Sequence, residues 1–179
     1  MTNDKKILTA LVALFLTLQL GCGVKTTTAP VAIAEVVDQE LSEFEVPTDE
    51  PGGKNVAQFG VAIEPATAPA GSLVTLGVRA RIMPEWHIYA IDKPTGVNVA
   101  TTLKLTLPEG LEEVGEWKAP EAHAFDAETF GYEGDVTFRR FLRVKEGATG
   151  PLEVKCDIGY QTCTKTSCLA PASTSQSTT

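Results

Sequence analysis

In Val74-Thr75-Leu76-Gly77-Val78-Arg79-Ala80-Arg81-Ile82, every second side chain is apolar and the intervening ones are polar, charged or absent. A period of two places successive side chains on opposite faces, so this segment reads as a half-buried β-strand. The same period recurs on both sides of it. Leu103, Leu105 and Leu107 alternate with Lys104 and Thr106 before the turn Pro108-Glu109-Gly110. Val136, Phe138, Leu142 and Val144 share one parity, which Arg140 breaks, and Leu152, Val154, Cys156, Ile158 and Tyr160 form another set. Shorter candidates are Gln58–Ile63, Trp86–Ala90 and Glu113–Trp117, with turns at Pro65, Pro69 and Gly71, Pro94 and Gly96, Gly131 and Gly134, and Gly150-Pro151. Six or seven short strands at this spacing, with no long amphipathic helix, predict an all-β fold. The expected architecture is an antiparallel β-sandwich of immunoglobulin type over residues 55–171.

Composition sets the outer bounds. The chain has 179 residues, 43% hydrophobic and 21% charged, enough for one domain with a core plus flanking segments. Its net charge of −8 argues against a nucleic-acid partner, which needs a basic face for phosphates.

The flanks read differently from the centre. Lys5 and Lys6 precede an apolar run from Ile7 to Leu20, broken only by Thr9, Thr17 and Gln19. That run is short for a bilayer span and has the proportions of a signal-peptide core. It ends in Leu18-Gln19-Leu20-Gly21-Cys22, which resembles a lipobox, with Gln19 where an aliphatic residue is usual. Residues 1–21 are therefore expected to be a leader of lipoprotein type and Cys22 the acylated residue; an ordinary cleaved signal or a retained N-terminal anchor is the alternative. Residues 22–54 follow as an acidic flexible linker: from Thr26 to Gly53 there is no Lys or Arg, while Glu35, Asp38, Glu40, Glu43, Glu45, Asp49 and Glu50 are acidic. Residues 172–179 are small and polar, and the expectation is a frayed, disordered tail.

Export places the remaining cysteines where disulfides persist. Cys156 shares the parity of Val154 and Ile158, so it is expected to be a buried, inert thiol. Cys163 and Cys168 are separated by four residues, a loop that can bring two Cα atoms within disulfide range. Closing so short a loop stabilises by only about 2 kcal/mol, which is little for a staple. An exposed bridge of this kind suits thiolate exchange, and Lys165 is placed to favour a thiolate beside it. Spacing alone leaves a plain hairpin disulfide equally open. A metal site built from these three cysteines with His87 or His123 fits no common zinc spacing, and none is expected.

Tyr160-Gln161-Thr162-Cys163 followed by Cys168-Leu169-Ala170-Pro171 resembles the closing signature of the amino-terminal periplasmic domain of the thiol:disulfide interchange protein DsbD family. Trp86-His87-Ile88-Tyr89-Ala90 with Pro94 and Gly96 resembles an earlier block, and Trp117, Pro120 and Tyr132–Phe138 its middle. The resemblance implies an immunoglobulin-like module, without cofactor, that passes electrons between proteins in the periplasm. Cys163 and Cys168 would be the redox pair, with Cys168 forming the mixed disulfide. The partners would be a thioredoxin-like electron donor and oxidised client proteins. It further implies an aromatic cap over the pair from Phe130 with Tyr132, or from Phe125, and an aromatic neighbour in Tyr89. Here there is one residue fewer between the two cysteines than in the best-known form, and the expectation is a stand-alone module without the membrane and thioredoxin-like domains of that family. The competing reading is a non-catalytic immunoglobulin-like lipoprotein domain whose disulfide pins a hairpin.

Overall fold

The computed structural model describes residues 41–179, so the expected leader, Cys22 and the first part of the acidic segment lie outside the described residues. Eleven strands lie among the described residues: β1 Ala57–Glu64, β2 Leu73–Ile82, β3 His87–Tyr89, β4 Thr102–Thr106, β5 Leu111–Lys118, β6 His123–Ala124, β7 Phe130–Glu133, β8 Asp135–Val144, β9 Val154–Tyr160, β10 Thr162–Cys163 and β11 Ala172–Thr178. There is no helix among the described residues. The strands form three antiparallel sheets ordered β1-β2-β8-β5, β10-β3-β7-β6 and β11-β9-β4. The two smaller sheets pack together against the first, which makes the molecule a sandwich. Phe59, Val78, Ala80, Val136 and Phe138 of the large sheet share one core cluster with Ile88, Tyr132, Cys156 and Ile158 of the small ones. A second cluster around Val74, Leu76, Leu111, Leu142, Val144 and Val154 fills the other end.

The parity break at Arg140 has a local cause. Pairing of β5 with β8 shifts register between Val114 and Lys118, and Gly115 in that bulge has φ 67°. The bulge turns the Gly115 carbonyl toward Arg140, which donates to it at 2.6 Å and pairs with Glu113, with its guanidinium 6.0 Å from the Trp117 ring centre. A cation on the inward face is tolerated because both terminal nitrogens of its guanidinium have a partner, although its Nε is buried without one.

Two flanking expectations are overturned. Residues 41–50 are not part of a free linker: they form a strap over the outer face of the large sheet. Val46 is 1% exposed, and Phe44 and Val46 lie where Gly77 leaves the β2 backbone bare. At Gly60 a Cβ would overlap the Pro47 carbonyl oxygen, so glycine admits the strap to β1 as well. Three of the acidic residues meet arginines: Glu43 with Arg139 at 2.9 Å, Glu45 with Arg79 at 3.7 Å, and Glu50 with Arg81. Arg79 and Arg81 also donate to the Val46 and Thr48 carbonyls at 3.4 and 3.3 Å. Consequently β2 is buried on both faces from Val74 to Val78, where alternation suggested one. The C-terminal tail is likewise ordered. β11 pairs residue for residue with β9, from Ala172 opposite Tyr160 to Thr178 opposite Val154. Its Ser and Thr side chains stay largely out of the core, so backbone hydrogen bonds hold an edge strand that hydrophobic periodicity does not register.

Candidate functional site

β9 carries the chain out of the core to Tyr160, and a single residue, Gln161, separates it from β10. Beyond Cys163 the chain reverses through Thr164-Lys165-Thr166-Ser167 and returns to Cys168. Thr164 N–H donates to the Ser167 carbonyl at 2.8 Å, and Leu169 N–H to the Thr162 carbonyl at 2.9 Å. These two bonds flank Cys163 and Cys168, so the cysteines form a non-hydrogen-bonded antiparallel pair, the register in which facing side chains come closest. Their Cα atoms are 4.0 Å apart and their sulfurs are joined in a disulfide.

The two sulfurs have unlike surroundings. Cys163 is 1% exposed and pairs with His87 of β3 across the sheet, whereas Cys168 is exposed on the returning limb. The Tyr89 hydroxyl stands 3.8 Å from Cys168 Sγ; a disulfide sulfur carries no proton, so the phenol donates. Burial and the nearby Asp126 carboxylate hold the Tyr89 phenol above its usual range, which keeps that proton in place. The His87 ring meets Tyr89 edge-on at 5.2 Å, and the Phe125 ring lies over His87 at 4.2 Å. Burial lowers the pKa of His87, partly offset by Glu133, so the imidazole is neutral near pH 7. Lys165 is exposed in the turn.

The aromatic residues expected as a cap divide. Tyr89 lies against the disulfide. Phe125, 36% exposed, ends a chain of ring contacts that leads through His87 and Tyr89 to Cys168. Tyr132 does not belong to a lid: it is 2% exposed, its ring stands edge-on to Phe138 in the core, and burial pushes its phenol up to about 12. Phe130 packs against the same core cluster, and its backbone is engaged with Pro94 and Ala90. The loop between β6 and β7 is held by Phe125 N–H donating to the Thr129 carbonyl at 2.9 Å and Glu128 N–H to Asp126 Oδ1 at 2.8 Å. Gly131 lets it close, since a Cβ there would overlap the Ile88 carbonyl oxygen and meet the Phe125 ring.

Cys156 sits in mid-sheet between Leu105 of β4 and Gln176 of β11 and is fully buried. Burial, then the Asp157 charge, pushes its thiol up to about 12, so it takes no part in exchange. Among the described residues no group of three His, Cys, Asp or Glu side chains is placed to hold a metal ion. Two polar side chains beside the disulfide have roles that the sequence analysis does not assign. Gln161 Oε1 accepts from Val99 N–H at 3.0 Å while its Nε2 donates to the Leu169 carbonyl at 3.1 Å. The Thr164 hydroxyl accepts from Ser167 N–H at 3.1 Å and Thr166 N–H at 3.3 Å. Both lie within the Cys-containing block, but their partners are backbone groups that no side-chain motif reveals.

A four-residue reversal closed by a disulfide, with one sulfur buried and one presented, at the end of a β-sandwich, is a combination specific enough to compare. Residues 55–179 match the family described as thiol:disulfide interchange protein DsbD, N-terminal. The chain belongs to this family. The match runs through Thr179, so β11 is part of the domain. Among solved structures, the N-terminal periplasmic domain of ScsB from Proteus mirabilis is similar in fold, with a TM-score of 0.50 and 20% identity, covering 69% of this chain and 46% of that one. The chain thus spans less than half the length of that domain. The GAE domain of GGA2p from Saccharomyces cerevisiae also aligns, at 9% identity and a TM-score of 0.40, covering 74% of this chain and 98% of that one. No curated protein sequence matches the chain. Family and disulfide together support a thiol–disulfide exchange module.

Proposed function

We propose that this chain is a periplasmic electron-transfer module in which Cys163 and Cys168 are the redox pair. A lipid on Cys22 would tether it to the membrane, a reading that rests on the basic residues, apolar run and Gly21-Cys22 at the N-terminus. The carrying observation is the asymmetry of the two sulfurs: Cys168 is presented to solvent and Cys163 is sealed beneath it. A thiolate of a thioredoxin-like donor attacks Cys168 Sγ. The Cys163–Cys168 bond breaks, its electron pair stays on Cys163, and that sulfur takes up a proton. A second donor thiol attacks the donor's own sulfur in the mixed disulfide and releases Cys168. The donor leaves as a disulfide and the pair is left as a dithiol. Cys168 then attacks an oxidised client, and Cys163 resolves that adduct, which returns the disulfide here and leaves the client reduced. No cofactor enters either half.

Phe125 and Tyr89 act as the cap in this scheme. Exchange rates follow access to sulfur, and an aromatic wall beside Cys168 slows small oxidants more than a partner whose surface displaces it. Neutral His87 supports the wall from below.

The test is a redox titration of the exported chain carrying Cys22→Ser. In graded thiol–disulfide buffers, with free thiols trapped and masses read, the expected midpoint lies well above about −300 mV. Cys163→Ser should accumulate a mixed disulfide on Cys168, whereas Cys168→Ser should not accumulate one on Cys163. A pair that stays oxidised until the chain is denatured would make the disulfide a structural staple and end this reading.

A further inference from the structure

The disulfide is not what alone keeps the hairpin shut. Starting at the flank of Cys163, the Thr162 carbonyl accepts from Leu169 N–H, and the Leu169 carbonyl accepts from the Gln161 carboxamide. The other end of that carboxamide is fixed by Val99 N–H. Leu169 directly follows Cys168, and Gln161 lies two residues before Cys163. A path of hydrogen bonds therefore joins the two limbs without passing through sulfur. Inside the turn, the Thr164 hydroxyl makes a second lock. It accepts from the N–H groups of Thr166 and Ser167 and lies 3.2 Å from the Ser167 carbonyl, to which it donates. A threonine that satisfies two amides two and three residues on is a turn device that operates whether or not the cysteines are bonded.

We propose that Gln161 and Thr164 are positioning residues that hold the Cys163 and Cys168 sulfurs within reach of each other when the disulfide is open. This rests on the exchange reading above and adds the device that lets it cycle. In the adduct with a client, the Cys163 thiolate must attack Cys168 Sγ, forming the internal disulfide and expelling the client's sulfur as a thiolate. A six-residue loop free to splay would do this at a lower effective concentration than one held at both its tip and its base. Preorganisation therefore speeds resolution and favours the closed disulfide, which lowers the reduction potential of the pair.

The experiment compares Gln161→Ala and Thr164→Val with Gln161→Glu and Thr164→Ser, all in the otherwise intact chain with Cys22→Ser. Glu keeps the acceptor for Val99 N–H and loses the donor to Leu169, while Ser keeps the turn hydroxyl. The readouts are the equilibrium constant with glutathione and the rate at which Cys163 resolves a preformed Cys168–glutathione adduct. The expected result is a roughly tenfold lower equilibrium constant for internal disulfide formation, about 30 mV less reducing, in both Gln161→Ala and Thr164→Val. Resolution should slow by a similar factor, Thr164→Ser should restore the parent values, and Gln161→Glu should not. Equilibrium and resolution within twofold of the parent in Gln161→Ala and Thr164→Val would overturn the proposal, since the bonds would then only shape a loop. Loss of fold in one variant leaves the other to decide, as the two locks share no atoms. If the parent pair cannot be reduced at all, it is the exchange reading that fails.

Discussion

The strap of residues 41–50 and the hairpin of residues 161–169 are both irregular segments laid against sheet edges or faces, yet they are held by opposite means. The strap has no covalent link to the sheet. Its grip is the buried Val46, Phe44 over the bare backbone of Gly77, and three carboxylate–arginine pairs whose acidic members are largely exposed. The hairpin has a disulfide, and most of its surface faces solvent. Burying a valine and part of a phenylalanine stabilises by about 3 kcal/mol, whereas closing a six-residue loop contributes about 2 kcal/mol. On these figures the covalent bond is a modest fastening, of the same order as the strap's apolar contacts. In the proposed cycle the bond is broken and remade, and it lies where the fold depends little on it.

The contrast can be broken most directly by removing the strap. A chain starting at Pro51 should lose about 3 kcal/mol in urea unfolding relative to one starting at Leu41, with the same reduction potential and exchange rate. A change in exchange chemistry would mean that the two regions are coupled. The next effect belongs to the hairpin's side. Gly131→Ala should cost about 2 kcal/mol, because its Cβ would overlap the Ile88 carbonyl oxygen and press on Phe125. Thiol-trapping of Cys168 after reduction should become faster as the ring is displaced. A smaller effect is expected from the charges of the strap. Replacing Glu43, Glu45 and Glu50 together by Gln should cost about 1 kcal/mol or less at low salt, and the difference should vanish in about 1 M salt.

The smallest effect is on pH dependence. The folded-state pKa of His87 is lowered by burial, so between that value and the usual range near 6.5 the unfolded chain binds more protons than the folded one. Stability is then full above the ordinary histidine pKa and declines as pH falls through that window. His87→Gln should flatten this limb in unfolding measurements from about pH 7.5 to 5, and an unchanged slope would show that His87 protonates freely beneath Phe125.

The two regions also differ in how legible they are from the amino-acid sequence alone. The strands of the large sheet are plain there, because Val74, Leu76, Val78 and Ala80 must share a face. The parity of Cys156 gives its burial correctly. The strap is hidden, because a run of acidic residues signals solvation unless the arginines that receive it are known, and Arg79, Arg81 and Arg139 lie far along the chain. β11 is hidden for a related reason: a strand of Ser and Thr carries its pairing in the backbone. Within the site, spacing and resemblance suffice to find the two cysteines. The choice among Phe125, Phe130 and Tyr132 depends on a two-residue strand, β6, and on register with β3, neither of which leaves a pattern. Tyr132 falls to the core because its parity in β7 faces Phe138.

The buried thiol of Cys156 bears on how the protein is made. Beyond Cys22 there are three cysteines and hence three ways to form one disulfide among them. In an open chain, Cys163 is almost as near in sequence to Cys156 as to Cys168, and the difference in loop entropy is only roughly 0.3 kcal/mol. Proximity therefore does not choose the partner. An open-chain thiol is ionised to a few per cent at neutral pH, while one with a pKa of about 12 is ionised to about one part in 100,000. Closing the sandwich around Ile158 and Cys156 therefore withdraws the wrong nucleophile from any chain that collapses before it is oxidised. Oxidation that outruns collapse would trap the mispaired chain, and the yield of correctly paired protein on oxidative refolding should depend on that race.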